Sequence, residues 1–329
     1  MTEKFTVSFS PHIRGSATTS RIMLDVIIAM FPAFAVSVLF FGPRAALVTA
    51  VCVAACLFFE WVFQKFVKKP VTIMDFSAVI TGLLLAFNLP VTIPLWQAVV
   101  GCFVAIVLVK QIFGGLGKNF ANPAVTARVV MLLAFSGTMT DWSMPMATPA
   151  WVMITDAVAS PTPLAVIAGN IEAGISLQAA NQNLPNLWHM FLGLRGGSFG
   201  ETSAIALLIG GIYLMIRKVI TWHIPLTFIA TVAALMFIAG GFDATFMLYH
   251  VLAGGLFIGA FFMATDYVTS PQTPKGRIIF GIGCGLITVV IRVFGNLPEG
   301  VSFAILLMNA LVPFISRYTL TKPLGGKKA

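Results

Sequence analysis

The sequence predicts an all-α polytopic membrane protein with about ten transmembrane helices in two inverted five-helix repeats. Three observations predict it: composition, the recurrence of apolar stretches of spanning length, and a one-sided distribution of basic residues. Hydrophobic residues fill 58% of the 329 positions and charged residues 9%, with a mean hydropathy of +0.96. A soluble domain carries about 25% charged residues, because its surface must be hydrated. So little charge cannot clothe a water-exposed surface, which excludes a soluble globular chain.

A spanning helix needs about 20 mostly apolar residues to cross a hydrocarbon core about 30 Å thick. Stretches of this kind, bounded by Pro, Gly and charge, place spans near 22–42, 45–65, 74–90, 95–114 and 122–138. A second group falls near 202–220, 222–242, 246–266, 278–295 and 302–318. The spans at 74–90 and 122–138 are short and weaker than the rest. The chain divides accordingly into a cytoplasmic segment 1–21, a first repeat 22–138, an extracytoplasmic loop 139–200, a second repeat 201–318 and a cytoplasmic tail 319–329. Residues 1–21 carry Lys4, His12, Arg14 and Arg21 without an apolar core, unlike a signal peptide.

Basic loops stay cytoplasmic. With the N-terminus inside, 16 of the 20 Lys and Arg residues fall on the cytoplasmic side. Arg44, Arg195 and Arg292 fall outside, and Arg128 lies within a span. Adding or removing one helix would abolish the bias, so it supports an even number of spans with both termini cytoplasmic. The net charge of +9 then reports topology and contact with anionic lipid rather than nucleic acid.

The evidence for a repeat is a recurring pair of short patterns. Gly101-Cys102 precedes Phe113-Gly114-Gly115-Leu116, and Gly283-Cys284 precedes Phe294-Gly295-Asn296-Leu297. These fall on the fourth and ninth spans, so the unit is five helices and the second copy is inverted, as in many transporters. The Gly-, Pro- and Asn-containing run Phe113 to Ala124 has the content of a broken helix lining a cavity for a cofactor or ion, and equally of a loop.

Few side chains offer chemistry. Cys52, Cys56, Cys102 and Cys284 do not supply four converging thiolates for an iron–sulfur or zinc site, and His12, His189, His223 and His250 are scattered. No catalytic or metal-ligating residue is expected. Carboxylates near hydrocarbon carry more weight, because such charge is costly to keep. Glu60 and Asp266 read as headgroup-depth anchors paired with Lys or Arg, whereas Asp25 and Asp75 read equally as anchors or as parts of an ion pathway. The sharpest motif is Asp156-Ala157-Val158-Ala159-Ser160-Pro161-Thr162-Pro163-Leu164 in the outside loop, which alone is ordinary turn chemistry.

Several segments together resemble the RnfD component of the Rnf complexes, ion-translocating ferredoxin:NAD oxidoreductases of bacteria and some archaea. They include Ser10-Pro11-His12-Ile13-Arg14, Asp25 to Ala29, Ile80 to Pro90, Gly115 to Asn119, Asn122-Pro123-Ala124, Gly200-Glu201-Thr202-Ser203 and Ile220 to Pro225. The resemblance covers nearly the whole chain and extends to the NqrB component of the sodium-pumping NADH:quinone reductase, a related family with a longer N-terminal extension. It implies FMN bound covalently through its phosphate to Thr162, attached by a flavinyltransferase that reads a motif containing Asp156 and Ser160. Asp156 and Thr162 keep the family's six-residue spacing, while Ala159, Ser160 and Pro161 stand where Ser/Thr, Gly and Ala are usual.

The same resemblance implies a flavoprotein electron carrier and phosphoprotein in a bacterial or archaeal inner membrane. It implies partners as well: iron–sulfur membrane subunits, an extracytoplasmic flavoprotein, and subunits that bind NAD and accept electrons from ferredoxin. Electron transfer would drive Na⁺ or H⁺ outward, and a second, noncovalent flavin is left open. The competing expectations are the quinone-reductase component, a flavin-free channel or carrier on the same scaffold, and a purely structural role in the complex.

Overall fold

A computed structural model describes residues 18–145, 161–173, 184–295 and 299–320. Among these residues the chain is helical throughout, with no strand. The principal helices are α1 (Thr19–Phe41), α2 (Pro43–Phe66), α3 (Ser77–Phe87), α4 (Leu95–Gln111) and α5 (Pro123–Ala134). The short helix α6 (Pro163–Glu172) follows. Then come α7 (Ala204–Ile216), α8 (His223–Ala239), α9 (Ala244–Leu252), α10 (Leu256–Met263), α11 (Pro274–Phe294) and α12 (Val301–Thr319).

Each of the ten expected spans has a helical counterpart. Four helices (α1, α2, α11 and α12) are long and apolar enough to cross a membrane. Five more are apolar but only 10–17 residues long, and α9 with α10 forms a pair bent by 65°. The straight span expected at 246–266 is therefore broken. Gly254, at φ 65°, stands in the left-handed region at the bend, a conformation that glycine adopts without steric cost.

Local sequence explains where the helices begin. Asn122 caps α5 through its side-chain oxygen, which accepts from the Ala124 and Val125 amides, and Pro123 occupies the first helical position. Thr273 and Pro274 repeat the device at α11, and Asp243 caps α9. Proline costs nothing at that position, because its missing N–H would be unpaired there anyway. The outward faces stay apolar: Ile28, Phe31, Leu39, Ile209, Leu286 and Leu307 are all exposed. A belt of this kind suits hydrocarbon rather than water.

Hydrogen bonds fix the alternation of the helices. At one end, Ser20 donates to the Met74 carbonyl, Arg277 to Thr221, and Thr273 pairs with Thr319. Among the described residues, most of the Lys and Arg side chains belong to helix ends and turns on this side, including Arg21, Lys65, Lys68, Lys69, Lys118, Lys218, Lys275 and Arg317. At the other, Arg44 donates to the Val91 and Ile93 carbonyls and Thr92 donates to that of Asp141. Helix α1 packs on α7, and α5 on α12. These are the first and fifth members of the two sets of five, so helices of corresponding rank meet across the bundle.

Candidate functional site

The short helices leave polar backbone and charge deep in the bundle, in two places. The first is a cavity of about 120 Å³ towards the basic end. Its walls come from the first turns of α1 and α3, from Lys110, from Leu116, Asn119 and Asn122 in the turn after α4, and from Phe262 to Val268. Part of the run Phe113 to Ala124 thus lines a cavity, the first of the two roles its composition allowed.

Behind this wall lies a hydrogen-bond chain. Lys110 Nζ donates to both Glu60 oxygens, at 3.0 and 2.9 Å, and to Ser77 Oγ at 2.6 Å. Ser77 Oγ donates in turn to Asp75 Oδ1 at 2.5 Å, while Gln64 and Gln111 donate to Glu60 Oε1. Lys110 is presented by a π-helical stretch, Val104–Gln111, one of two in the described bundle. Wide turns of this type recur at functional sites. Glu60 is 1% exposed, so it is paired with a lysine as expected and lies inside the protein rather than on its outer surface. Asp266 accepts from Thr269 Oγ1 and the Val268 amide rather than from Lys or Arg, which corrects the anchor reading there.

Asp25 stands apart from this chain. Its carboxylate accepts from Tyr213 Oη at 3.1 Å and Arg217 Nη2 at 3.2 Å, which ties α1 to α7. Of the two candidate ion-pathway residues, Asp75 therefore joins the Glu60–Lys110 chain and Asp25 joins an interhelical ion pair.

The second place lies where α3, α5, α7, α9 and α12 end or begin. The segment Gly193 to Ser203 folds into the bundle: Gly200 N donates to the Phe87 carbonyl, Ser198 Oγ to that of Asn88, and Ser37 Oγ to that of Phe199. A Cβ at Gly200 would fall 2.2 Å from the Phe87 side chain, so only glycine allows this approach. Three guanidinium groups gather here. Arg128 bridges Asn88 Oδ1 at 2.5 Å, Glu201 Oε2 at 3.5 Å and Glu299 Oε2. Arg195 donates to the Thr202, Glu201 and Gly254 carbonyls, and Arg292 to those of His250 and Ala253. Arg195 and Arg292, counted on the outer side as exceptions to the basic-inside bias, are thus buried.

Thr162 sits beside this cluster. It is the N-cap of α6, with Oγ1 accepting from the Ala165 amide at 3.1 Å and Pro163 in the first helical position. Thr162 is 5% exposed, not the open loop hydroxyl that two flanking prolines suggest, because Thr before Pro starts a helix rather than preventing one. Helix α6 lies against α11, and Leu164 packs with Met190, Tyr249 and Ala253. Asp156 and Ser160 lie outside the described residues. The N-terminus of the ten-residue α6 offers amides and a favourable dipole to an anion, so a phosphate ester on Thr162 fits its surroundings.

Helices of lipid-facing apolarity, broken at the centre and enclosing buried charge, define a polytopic membrane protein of the transport class. The chain belongs to the NQR2, RnfD, RnfE family, whose model matches residues 6–325. It is 46% identical, over 98% of its length and 96% of the relative's, to the D subunit of the Na(+)-translocating ferredoxin:NAD(+) oxidoreductase complex of Acetobacterium woodii. It is 42% identical, over 98% and 97%, to the D subunit of the proton-translocating ferredoxin:NAD(+) oxidoreductase complex of Clostridium ljungdahlii. The D subunit of the ion-translocating oxidoreductase complex of Escherichia coli (strain K12 / DH10B) is 34% identical over 98% and 99%.

Proposed function

We propose that this chain is the membrane subunit of an ion-translocating ferredoxin:NAD oxidoreductase and carries FMN joined through its phosphate to Thr162 Oγ1. The observation that carries the reading is the 46% identity, over nearly all of both chains, to a subunit named for that activity. Bound FMN supplies one- and two-electron transfer, while the protein supplies position and electrostatics. Here Thr162 holds the phosphate and the first turn of α6 orients it. Because Thr162 is buried, the flavinyltransferase acts before α6 packs onto α11, or when that segment opens.

The cavity at the basic end is the place for a second, noncovalent flavin. Its apolar walls suit a ring system, and Asn122, whose amide spends one hydrogen on the Met263 carbonyl, has a second to offer a polar ring edge. The Asp75–Ser77–Lys110–Glu60 chain on its wall belongs to the ion path. Relatives are named for Na⁺ and for H⁺, and the transported ion is one of these. The basic end faces the cytoplasm of a bacterial or archaeal inner membrane and Thr162 faces outward, with iron–sulfur and flavoprotein subunits as neighbours.

The test is in-gel flavin fluorescence of the purified chain after SDS denaturation, followed by mass spectrometry of the peptide containing Thr162. A fluorescent band with the FMN mass on Thr162 is expected. A chain without covalent flavin, made in cells that contain the transferase, would sink the reading.

A further inference from the structure

The cluster beside Thr162 has an unbalanced charge. Arg128, Arg195 and Arg292 are each at most 6% exposed, against the two carboxylates of Glu201 and Glu299. Both carboxylates are engaged by Arg128. Arg195 and Arg292 donate to backbone carbonyls, which solvate a charge without cancelling it. Among the described residues one positive charge is left over, in a place where uncompensated charge is costly. Arg292 Nε and both ring nitrogens of His250 are buried without a hydrogen-bond partner among the described residues.

Arg292 is also fixed in place. Its two Nη groups hold the His250 and Ala253 carbonyls at the end of α9. A Cβ at Gly254 would lie 2.9 Å from Leu164 Cδ1 and 3.2 Å from Arg292 Nη2. The Leu164 side chain, from the first turn of α6, and this guanidinium therefore both border Gly254. Leu164 is two residues from Thr162, and the intervening residue is Pro163.

We infer that Arg292 is the counter-charge for the phosphate group carried by Thr162. The inference rests on the attachment reading above and adds to it a residue in a different helix. A phosphodiester bears a single negative charge, which brings the cluster to neutrality. A guanidinium presents planar donors suited to phosphate oxygens, and the α6 amides serve the same group from the other side. Arg292 is a positioning residue: it holds the phosphate, and through it the flavin, against the bundle.

The test compares wild type, Arg292→Lys and Arg292→Gln, each purified full-length with and without co-expressed flavinyltransferase. Phosphorus NMR reads the bound phosphodiester directly, and the Tm gained on flavinylation reads its docking. In wild type the resonance should be displaced from its position in unfolded protein, and flavinylation should raise Tm. In Arg292→Gln the resonance should move towards the unfolded position and the Tm gain should be lost. Arg292→Lys keeps the charge without Nε and should show a smaller displacement; it carries the comparison if Arg292→Gln fails to fold. A phosphodiester signal and Tm gain unchanged in the variants would overturn the role of Arg292 and leave the attachment intact. A wild-type protein with no phosphodiester signal and no fluorescent band would overturn the attachment itself.

Discussion

Lys110 and Glu60, fifty residues apart, form an ion pair at 2.9 Å in which neither side chain is more than 2% exposed. Removing one partner of a buried pair leaves the other charge without compensation, at a cost of about 3–5 kcal/mol, whereas replacing both with apolar groups is often near neutral. Lys110→Met and Glu60→Leu should each lower Tm in detergent sharply, and the double variant should recover most of the loss. If the two single losses simply add in the double variant, the pair does not act as a unit.

Thr162→Ala should abolish the flavin band. It should also cost about 1 kcal/mol, because the hydroxyl caps α6. Thr162→Ser keeps both the acceptor and the cap and should retain flavin with near-normal Tm. The decisive measurement is the mass of the loop peptide. FMN on Ser160, or a band persisting in Thr162→Ala, would place the attachment elsewhere.

Asp75→Asn should lower ion pumping in proteoliposomes while flavin content stays unchanged, since Asp75 is linked through Ser77 to Lys110. Asp25→Asn should act more weakly on pumping and more on stability, because Asp25 joins α1 to α7 through Tyr213 and Arg217. The Arg217 side chain is 44% exposed, so that loss should stay within about 1 kcal/mol. Normal pumping in both variants would assign both carboxylates to structure alone.

Orientation is open to labelling. The four native cysteines are buried, so they should give little background to an impermeant maleimide. Gln182→Cys should label from outside intact cells, and Gly326→Cys only after the membrane is breached. Labelling of Gln182→Cys from the cytoplasmic face alone would reverse the assignment.

The apolar segments were legible in the sequence because hydrocarbon thickness imposes a length on them, and each expected span has a helical counterpart. The break at 253–255 was signalled by Gly254-Gly255 inside a span, but glycine tolerance does not reveal whether a helix bends. The arginine cluster was less visible. Its members come from segments that each read as an ordinary helix end, and only Arg128, inside a span, stood out. Arg195 and Arg292 were counted on the outer side as exceptions to the basic-inside bias, since a sequence does not show that the segment around Arg195 folds inward or that the end of α11 is covered. The cap at Thr162 was legible in principle. Ser or Thr before Pro is a helix start, and that local rule outweighs the reading of two prolines as helix breakers.

Helices α3, α5 and α7 have 11, 12 and 13 residues, which makes them about 16–20 Å long, against a hydrocarbon core of about 30 Å. The remaining depth is filled by inward-folded backbone and, on the basic side, by a cavity. Water or polar ligand entering that cavity would carry the potential of the basic side inward, and the voltage drop would concentrate over the thinner septum that holds Arg128, Arg195 and Arg292. An elementary charge crossing the whole drop does work of about 2.3 kcal/mol per 100 mV. A flavin that gains or loses charge beside that septum, or a cation that shifts within it, therefore changes its energy with the membrane potential, and its redox midpoint should move with applied voltage.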